Sequence, residues 1–207
     1  MADFNLAIPV IKRSEGGLSK HPSDTASKWP VPDGSGNHTN KGITWLVFST
    51  NAKKLGYTAT PELFYAMPDH IWNKITKQLY WDEISGDQLR SQAVATILVD
   101  WYFGSRAWAV KNLQTILNKH FNYKLAVDGV MGIMTTKATN AVDQKRLANL
   151  LQQARVAFIE TISKRGDQGK FRNGWLEDAA YTFSIAQRYM PAISIGTLLV
   201  GASALFF

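Results

Sequence analysis

The sequence predicts a mainly α-helical protein. Apolar residues recur at helical spacing along most of its 207 residues, strand patterns are nearly absent, and glycine or proline stands where the helical patterns stop. Apolar residues make up 45% of the chain, which is enough to bury a core and excludes a disordered chain. At this length we expect one domain or two closely packed units.

The first dozen residues predict an amphipathic helix. Its apolar face is formed by Phe4, Ala7, Ile8 and Ile11. Glu15 continues this face four residues after Ile11, and Gly16 and Gly17 then end the helix. A polar loop rich in proline and glycine follows from Lys20 to Gly42.

Further helices are predicted by caps and by apolar stripes. Thr44 is placed to cap a helix that covers Ile43 to Leu55, and Thr60 with Pro61 opens another. The remaining stripes run over 71–79, 89–102, 108–117 and 147–162, the last being the final long helix before the C-terminal segment. Residues 121–127 contain a candidate strand, and a seam between two units is expected near Gly104-Ser105.

Charge and motif content exclude several classes of function. Lysine and arginine number 23 against 16 acidic residues, a net charge of +7 that indicates an anionic partner such as nucleic acid, a membrane surface or cell-wall polymer. Cysteine is absent, which excludes disulfides and thiolate chemistry. No H-E-x-x-H, G-x-S-x-G, phosphate-loop or nucleic-acid motif occurs, and His21, Asp24 and His38 follow no known ligand spacing. We expect no metal, no cofactor and no nucleic-acid partner.

Glu15 is the carboxylate whose position suggests chemistry. Burial on an apolar helix face raises the pKa of a carboxyl group, and a glutamic acid that stays protonated near neutral pH suits a glycosidase. Two glycines beside it let a substrate approach the backbone. Taken alone, the same pattern also fits an ordinary glutamate at a helix end.

Ordered motifs resemble glycoside hydrolase family 108 and the peptidoglycan-binding module that accompanies it. The N-terminal set is Ser14-Glu15-Gly16-Gly17, Pro22-Ser23-Asp24 and Thr39-Asn40-Lys41-Gly42-Ile43-Thr44. The middle set is Tyr80-Trp81-Asp82 and Asn112-Leu113-Gln114. The C-terminal set is Asp128-Gly129, Gly132, Thr135, Arg155, Phe158 and Gly174-Trp175.

The resemblance implies an N-acetylmuramidase with a lysozyme-like helical fold and a closely packed C-terminal helical module. Such an enzyme cleaves the glycan strands of bacterial peptidoglycan without a cofactor. The resemblance makes Glu15 the catalytic acid and Asp24 the first candidate for the second catalytic group. Asp33, within the longer stretch from Thr25 to His38, is a competitor for the second role. A second carboxylate about 5–5.5 Å from the acid predicts a retaining enzyme, and one about 6.5–9.5 Å away an inverting enzyme.

The chain departs from the family pattern in its substrate loop. His21 replaces the first aspartate of the D-P-x-D element, and a longer stretch from Thr25 to His38 replaces a Gly-Gly element. This altered loop leaves open a second hypothesis, a non-catalytic peptidoglycan-binding envelope protein of the same fold. Expected substrate contacts are Gly16, Gly17, Trp29, Thr39 and Thr44, with Thr44 equally explained as a helix cap. Trp101, Trp108 and Trp175 are expected to pack in the core.

The sequence predicts three segments: a catalytic domain over 1–104, a peptidoglycan-binding module over 105–185 and a hydrophobic segment over 190–207. Met190 to Phe207 holds 18 residues without a charge, which fits either a membrane anchor or a buried helix. The N-terminus lacks the pattern of a cleavable signal peptide. We expect a phage- or prophage-type endolysin that acts at the cell envelope.

Overall fold

The computed structural model describes residues 1–14, 17–20 and 29–190. This part of the chain forms nine α-helices and one small three-stranded antiparallel sheet. The helices are α1 (Phe4–Ser14), α2 (Trp45–Lys54), α3 (Pro61–Tyr65), α4 (Asp69–Thr76), α5 (Gln92–Ser105), α6 (Ala107–Phe121), α7 (Ile133–Ala141), α8 (Gln144–Ile162) and α9 (Arg172–Gln187). The strands are β1 (Leu18–Ser19), β2 (Thr39–Asn40) and β3 (Ile43–Thr44). The predicted mainly α-helical, lysozyme-like class is confirmed.

Helix α5 is the centre of the fold. Every residue from Ala93 to Trp101 is buried, because α1, α6, α8 and α9 all pack around this one helix. A helix that is apolar on all sides belongs in a protein interior. The N-terminal and C-terminal halves of the chain therefore share a continuous hydrophobic core.

The predicted cap at Thr44 and the predicted helix start at Thr60-Pro61 are confirmed. The Thr44 hydroxyl accepts a hydrogen bond from the Val47 N–H at 3.4 Å at the start of α2. The Thr60 hydroxyl accepts one from the Leu63 N–H at 3.2 Å, and Pro61 occupies the first turn of α3. Each hydroxyl satisfies a backbone donor that has no partner within its own helix. The α2 helix begins at Trp45, because Ile43 and Thr44 form strand β3 instead.

The candidate strand at residues 121–127 is wrong, because this segment has no strand pairing. Its backbone is held by a side chain instead. Asn118 donates from Nδ2 to the Leu125 carbonyl at 2.9 Å and accepts from the Leu125 N–H at 2.7 Å. The Asn118 side chain thus makes the two backbone hydrogen bonds that a paired strand would otherwise make.

Helices α7 and α9 were not predicted as helices. They bury small or polar residues and present no stripe of large aliphatic side chains. The buried positions are Thr135, Thr136, Ala138 and Thr139 in α7, and Ala179, Thr182 and Ala186 in α9. The expectation that the last long helix ends near Ile162 is therefore wrong.

The three tryptophans expected in the core differ in how far they are buried. Trp101 is buried, with 3% of its surface exposed, as predicted. Trp175 is half-buried and contacts Phe171. Trp108 is 53% exposed on α6, with the Lys111 ammonium 5.2 Å from its ring, so the prediction that it packs in the core is wrong.

A break in the helices lies next to the predicted seam. Arg106 has a φ of 52° between the end of α5 and the start of α6. Its guanidinium lies 4.0 Å from the centre of the Tyr80 ring and donates to the Leu79 carbonyl at 3.1 Å. The division at residues 104 and 105 stays a prediction.

Met190 is the last described residue, and no helix in the described residues is long and apolar enough to cross a membrane.

Candidate active site

The small sheet brings two predicted site segments together. Strand β1 begins directly after Gly17, and it pairs antiparallel with β2, which pairs antiparallel with β3. A two-residue turn joins β2 to β3, with Lys41 at φ 49° and Gly42 at φ 73°. Two positive φ angles in succession give a turn whose twist matches that of the flanking strands. The turn also contacts β1, because the Lys41 N–H donates to the Gly17 carbonyl at 3.3 Å.

A row of three hydroxyl residues crosses the sheet. Ser19 is paired with Thr39, and Thr39 is paired with Thr44. Directly opposite residues of an antiparallel pair have their side chains on the same face, so these three lie on one face. The alternate positions face the other way, where Asn40 and Ile43 are buried in the protein.

The two threonines of this row differ in their hydrogen bonding. Thr44 is occupied as the cap of α2, so the structural role predicted for it is present. The Thr39 hydroxyl is buried and finds no hydrogen-bond partner among the described residues. Burying a hydroxyl without a partner costs about 1–3 kcal/mol, which points to a function other than stability.

Buried hydrogen bonds fix the turn on the helical body. Asn40 donates from Nδ2 to the Phe64 carbonyl at 2.6 Å and to the Tyr65 carbonyl at 3.1 Å. The Trp72 indole N–H donates to the Lys41 carbonyl at 2.9 Å. These hydrogen bonds hold the sheet against α3 and α4, and the two side chains that donate them, Asn40 and Trp72, are buried.

An ion-pair network joins the same turn to α1. Asp69 accepts from the Lys12 ammonium at 2.7 Å and lies 3.2 Å from the Lys41 ammonium, which also donates to the Met67 carbonyl. Hydrogen bonds from Lys12 and then Lys41 lower the pKa of Asp69. Lys12 lies in the last turn of α1, three residues before Glu15. Because Lys12 and Lys41 both pair with Asp69, this turn is connected to the Thr39–Thr44 hairpin.

Asp33 is placed in a tight turn of the inserted loop. Val31 and Gly36 form a β-bridge, and between them Asp33 accepts from the Ser35 N–H at 2.9 Å and from the Ser35 hydroxyl. The Tyr65 hydroxyl donates to the second Asp33 oxygen at 2.9 Å. The Ser35 bonds, followed by the Tyr65 bond, lower the pKa of Asp33, so it is a stabilised carboxylate and a weak base.

The other predicted site residues are distributed as follows. Trp29 is 58% exposed and presents an aromatic surface at the start of the described part of the insertion. Gly17 is exposed beside the Lys41 turn. Glu15, Gly16 and Asp24 lie outside the described residues, and Glu15 follows the last residue of α1 by one position.

The motif residues of the C-terminal half have structural roles around one turn. Gln114 is buried on α6 and donates to the Asp128 carboxylate at 2.7 Å, while its own carbonyl oxygen accepts from the Gly129 N–H at 2.9 Å. Gly129 has φ 83°, and a Cβ there would lie 2.9 Å from that of Ala107. Both the backbone conformation and the close approach require glycine at this position.

Three other motif residues of this half meet in one pocket. Arg155 and Phe158 on α8 and Trp175 on α9 line it together with residues of α5.

Within the described residues no group of three histidine, aspartate or glutamate side chains is arranged to hold a metal ion.

Comparisons with known proteins agree with this arrangement. Residues 8–105 match the family described as glycosyl hydrolase 108, and residues 108–180 match a predicted peptidoglycan domain. Residues 8–105 form a glycosyl hydrolase 108 domain. A solved structure titled "Structure of Brucella abortus SagA" is similar, with a TM-score of 0.68 and 26% identity over 93% of this chain and 98% of that one. No curated protein sequence matches the chain.

The chain is a peptidoglycan hydrolase. The family 108 match makes it a glycoside hydrolase of the muramidase type, and the second match supports peptidoglycan as its partner. The hairpin motif and the C-terminal motifs have separate roles. The hairpin motif lies beside the segment that carries Glu15. The C-terminal motifs form the turn at Asp128-Gly129 and line the pocket of the C-terminal half.

Proposed function

We propose that the chain hydrolyses the bond between N-acetylmuramic acid and N-acetylglucosamine, with Glu15 as general acid. Glu15 donates its proton to the oxygen of the leaving sugar as the glycosidic bond breaks. Asp24 is the second carboxylate, which either activates the attacking water or stabilises the oxocarbenium-like transition state. Water supplies the hydroxyl group of the new reducing end and the proton that restores the acid.

The observation that supports this site is the hydrogen bond between Gly17 and the hairpin turn. Because the Lys41 N–H meets the Gly17 carbonyl at 3.3 Å, the end of the Glu15-Gly16-Gly17 motif adjoins the Thr39–Thr44 motif in space. Two motifs that are separated by more than 20 residues of sequence thus meet at one place. Gly17 leaves room for a sugar beside the backbone, because a Cβ there would meet no described atom within 4 Å, and the Thr39 hydroxyl has no partner among the described residues.

The hydrogen bonds of Asp33 favour Asp24 over it as the second group. Both Asp33 oxygens accept hydrogen bonds from Ser35 or Tyr65, and these bonds lower its pKa. A carboxylate stabilised in this way takes up a proton poorly. We therefore assign Asp33 to the shape of the inserted loop and Trp29 to stacking against a sugar ring.

The test is the release of reducing ends from purified cell-wall sacculi. Glu15→Gln keeps the size of the side chain and removes the acid, and we expect a loss of at least about 100-fold in rate. Glu83→Gln is the matched control, since Glu83 is an exposed glutamate outside the site, and it is expected to keep the parent rate. Equal rates for Glu15→Gln and the parent would refute the assignment. Binding to sacculi without new reducing ends from the parent would support the non-catalytic alternative.

We also propose that the enzyme is an endolysin-type protein that reaches the cell envelope, with Met190–Phe207 as its membrane anchor. Eighteen uncharged residues are at the lower limit of the length that spans a bilayer, and Arg188 with Tyr189 precede them as interfacial residues. Removing 190–207 is expected to move the protein from the membrane fraction to the supernatant. A protein whose distribution does not change has no anchor there.

A further inference from the structure

A pocket of about 260 Å³ lies between α5, α8 and α9, and no residue of the hairpin motif lines it. Its walls include three aromatic side chains and three charged ones: Trp101, Phe158, Trp175, Asp100, Arg155 and Asp178. Arg155, Phe158 and Trp175 belong to the C-terminal motifs, which the proposed hydrolysis at Glu15 does not use.

A buried ion pair forms the floor of the pocket. Arg155 Nη1 lies 2.7 Å from Asp100 Oδ2, and both side chains are more than 90% buried. The Thr182 hydroxyl donates to the same carboxylate oxygen at 2.7 Å. A buried carboxylate is tolerated when it is paired and hydrogen-bonded, and Asp100 meets both conditions.

Asp178 stands beside this pair without a partner of its own. It is half-buried, and no described residue donates a hydrogen bond to its carboxylate or forms an ion pair with it. Burial, and then the neighbouring charge of Asp100, raise its pKa. Arg155 and, more weakly, Arg13 act in the opposite direction, whereas Glu177 adds to the rise. The pocket lining carries two carboxylates and one guanidinium, one more negative charge than positive, and Arg13 acts on Asp178 from outside this lining.

One hydrogen-bond donor of the pocket residues lacks an acceptor. The Trp101 indole nitrogen is buried and has no partner among the described residues. Buried donors without acceptors are rare in folded proteins, and a ligand that brings an acceptor would satisfy them.

We propose that this pocket binds an aliphatic ammonium group of the peptidoglycan stem peptide, with Asp178 as its ion-pair partner. The inference rests on peptidoglycan being the substrate, and it does not depend on the role of Glu15. The side-chain amine of a stem-peptide diamino acid supplies one positive charge, which is what the pocket lacks. The three aromatic rings suit the ammonium and its aliphatic stem, and the adjoining peptide carbonyl offers an acceptor to the Trp101 indole N–H.

This site would hold the substrate by its peptide while the hydrolase site acts on its glycan. Two weak contacts on one polymer raise the effective concentration of each contact for the other. The amine is free in stems that are not cross-linked, so the pocket favours those stems over cross-linked ones. The same ammonium chemistry occurs on de-N-acetylated glucosamine, and the experiment separates the two sources.

The experiment measures binding of soluble ligands to the full chain by calorimetry. The ligands are a stem tetrapeptide with a free diamino-acid amine, the same peptide with that amine acetylated, and a glucosamine disaccharide. None contains the muramic acid linkage, so failure of the Glu15 assignment does not alter the result. We expect the free peptide to bind and the acetylated peptide to bind at least about tenfold more weakly.

Two variants of α9 give a matched comparison. Asp178→Asn is expected to weaken binding of the free peptide at least about tenfold, to the level of the acetylated peptide. Glu177→Gln removes the same charge at the next, exposed residue, and it is expected to bind like the parent. Equal binding of the two peptides overturns the proposal, as does parent-like binding by Asp178→Asn, stronger binding of the disaccharide or no binding at all. The peptide comparison uses the parent protein, so it holds even where a variant folds poorly.

Discussion

The Lys41 N–H and the Gly17 carbonyl are 3.3 Å apart, and this hydrogen bond joins the two ends of the candidate active site. Gly17 closes the segment that carries Glu15, and Lys41 is the first central residue of the turn between β2 and β3. The same Lys41 receives the Trp72 indole N–H and forms an ion pair with Asp69. A short hairpin is thereby held by residues of the buried helical body, which is the rigid support that a catalytic site needs.

Thr39→Val tests the unpaired hydroxyl of the hairpin. Valine keeps the shape of threonine and removes a buried oxygen that has no partner among the described residues. We expect the free energy of unfolding to stay the same or to rise by up to about 1 kcal/mol. The rate of reducing-end release is expected to fall about tenfold, which is the worth of one ordinary hydrogen bond to substrate or water. A variant with the parent rate and a higher stability would show that the hydroxyl has no part in catalysis.

Thr44→Ala separates the cap of α2 from a contact with substrate. The loss of the bond to the Val47 N–H is expected to lower the free energy of unfolding by about 1 kcal/mol. Thr60→Ala is the matched control, since it removes the corresponding cap from α3. Urea unfolding and reducing-end assays are made on both variants. If Thr44 also contacts the sugar, its variant loses activity and the Thr60 variant does not, whereas equal activities leave Thr44 as a cap.

Asp33→Asn distinguishes the two candidates for the second carboxylate. Because Asp33 is engaged by Ser35 and Tyr65 and has a lowered pKa, we expect its amide variant to keep the rate of hydrolysis within about twofold. Asp24→Asn is expected to lose at least about 100-fold. The measurement is the same reducing-end assay with both variants at equal concentration. The opposite order of losses would make Asp33 the second catalytic group.

The sequence allowed much of the helical body to be predicted, because that body is held by large apolar side chains at regular spacing. Phe4, Ala7 and Ile11 are buried as expected, Thr44 caps its helix as predicted, and a helix begins at Thr60-Pro61 as predicted. Helix α9 escaped prediction because it packs through Ala179, Thr182 and Ala186, whose small or polar side chains leave no apolar stripe.

The candidate sites were predictable only in part. Ordered motifs pointed to Gly17, Thr39 and Thr44, and the structure places all three on or beside one small sheet. Strands of two residues are too short to show an alternating pattern, so the sheet itself left no signal. The pocket residues Asp100 and Asp178 belong to different helices that are far apart in sequence, and only the packing of α9 on α5 brings them together.

Asp178→Asn is expected to raise the stability of the protein at neutral pH. Burial, the charge of Asp100 and, more weakly, Glu177 raise the Asp178 pKa above 3.8, whereas Arg155 and Arg13 oppose the rise. A carboxyl group with a raised folded-state pKa contributes stability that is fully present below its unfolded pKa and is lost as the pH rises through the folded value. The variant should therefore exceed the parent in stability by more at pH 7 than at pH 4, measured as the urea concentration at half-unfolding.

Glu177→Gln, which changes the same charge at an exposed position, should show a smaller pH-dependent gain in stability. An equal gain in both variants would mean that the effect comes from net charge rather than from the pocket. A carboxylate that destabilises the fold and is required for binding the peptide would be a residue kept for function.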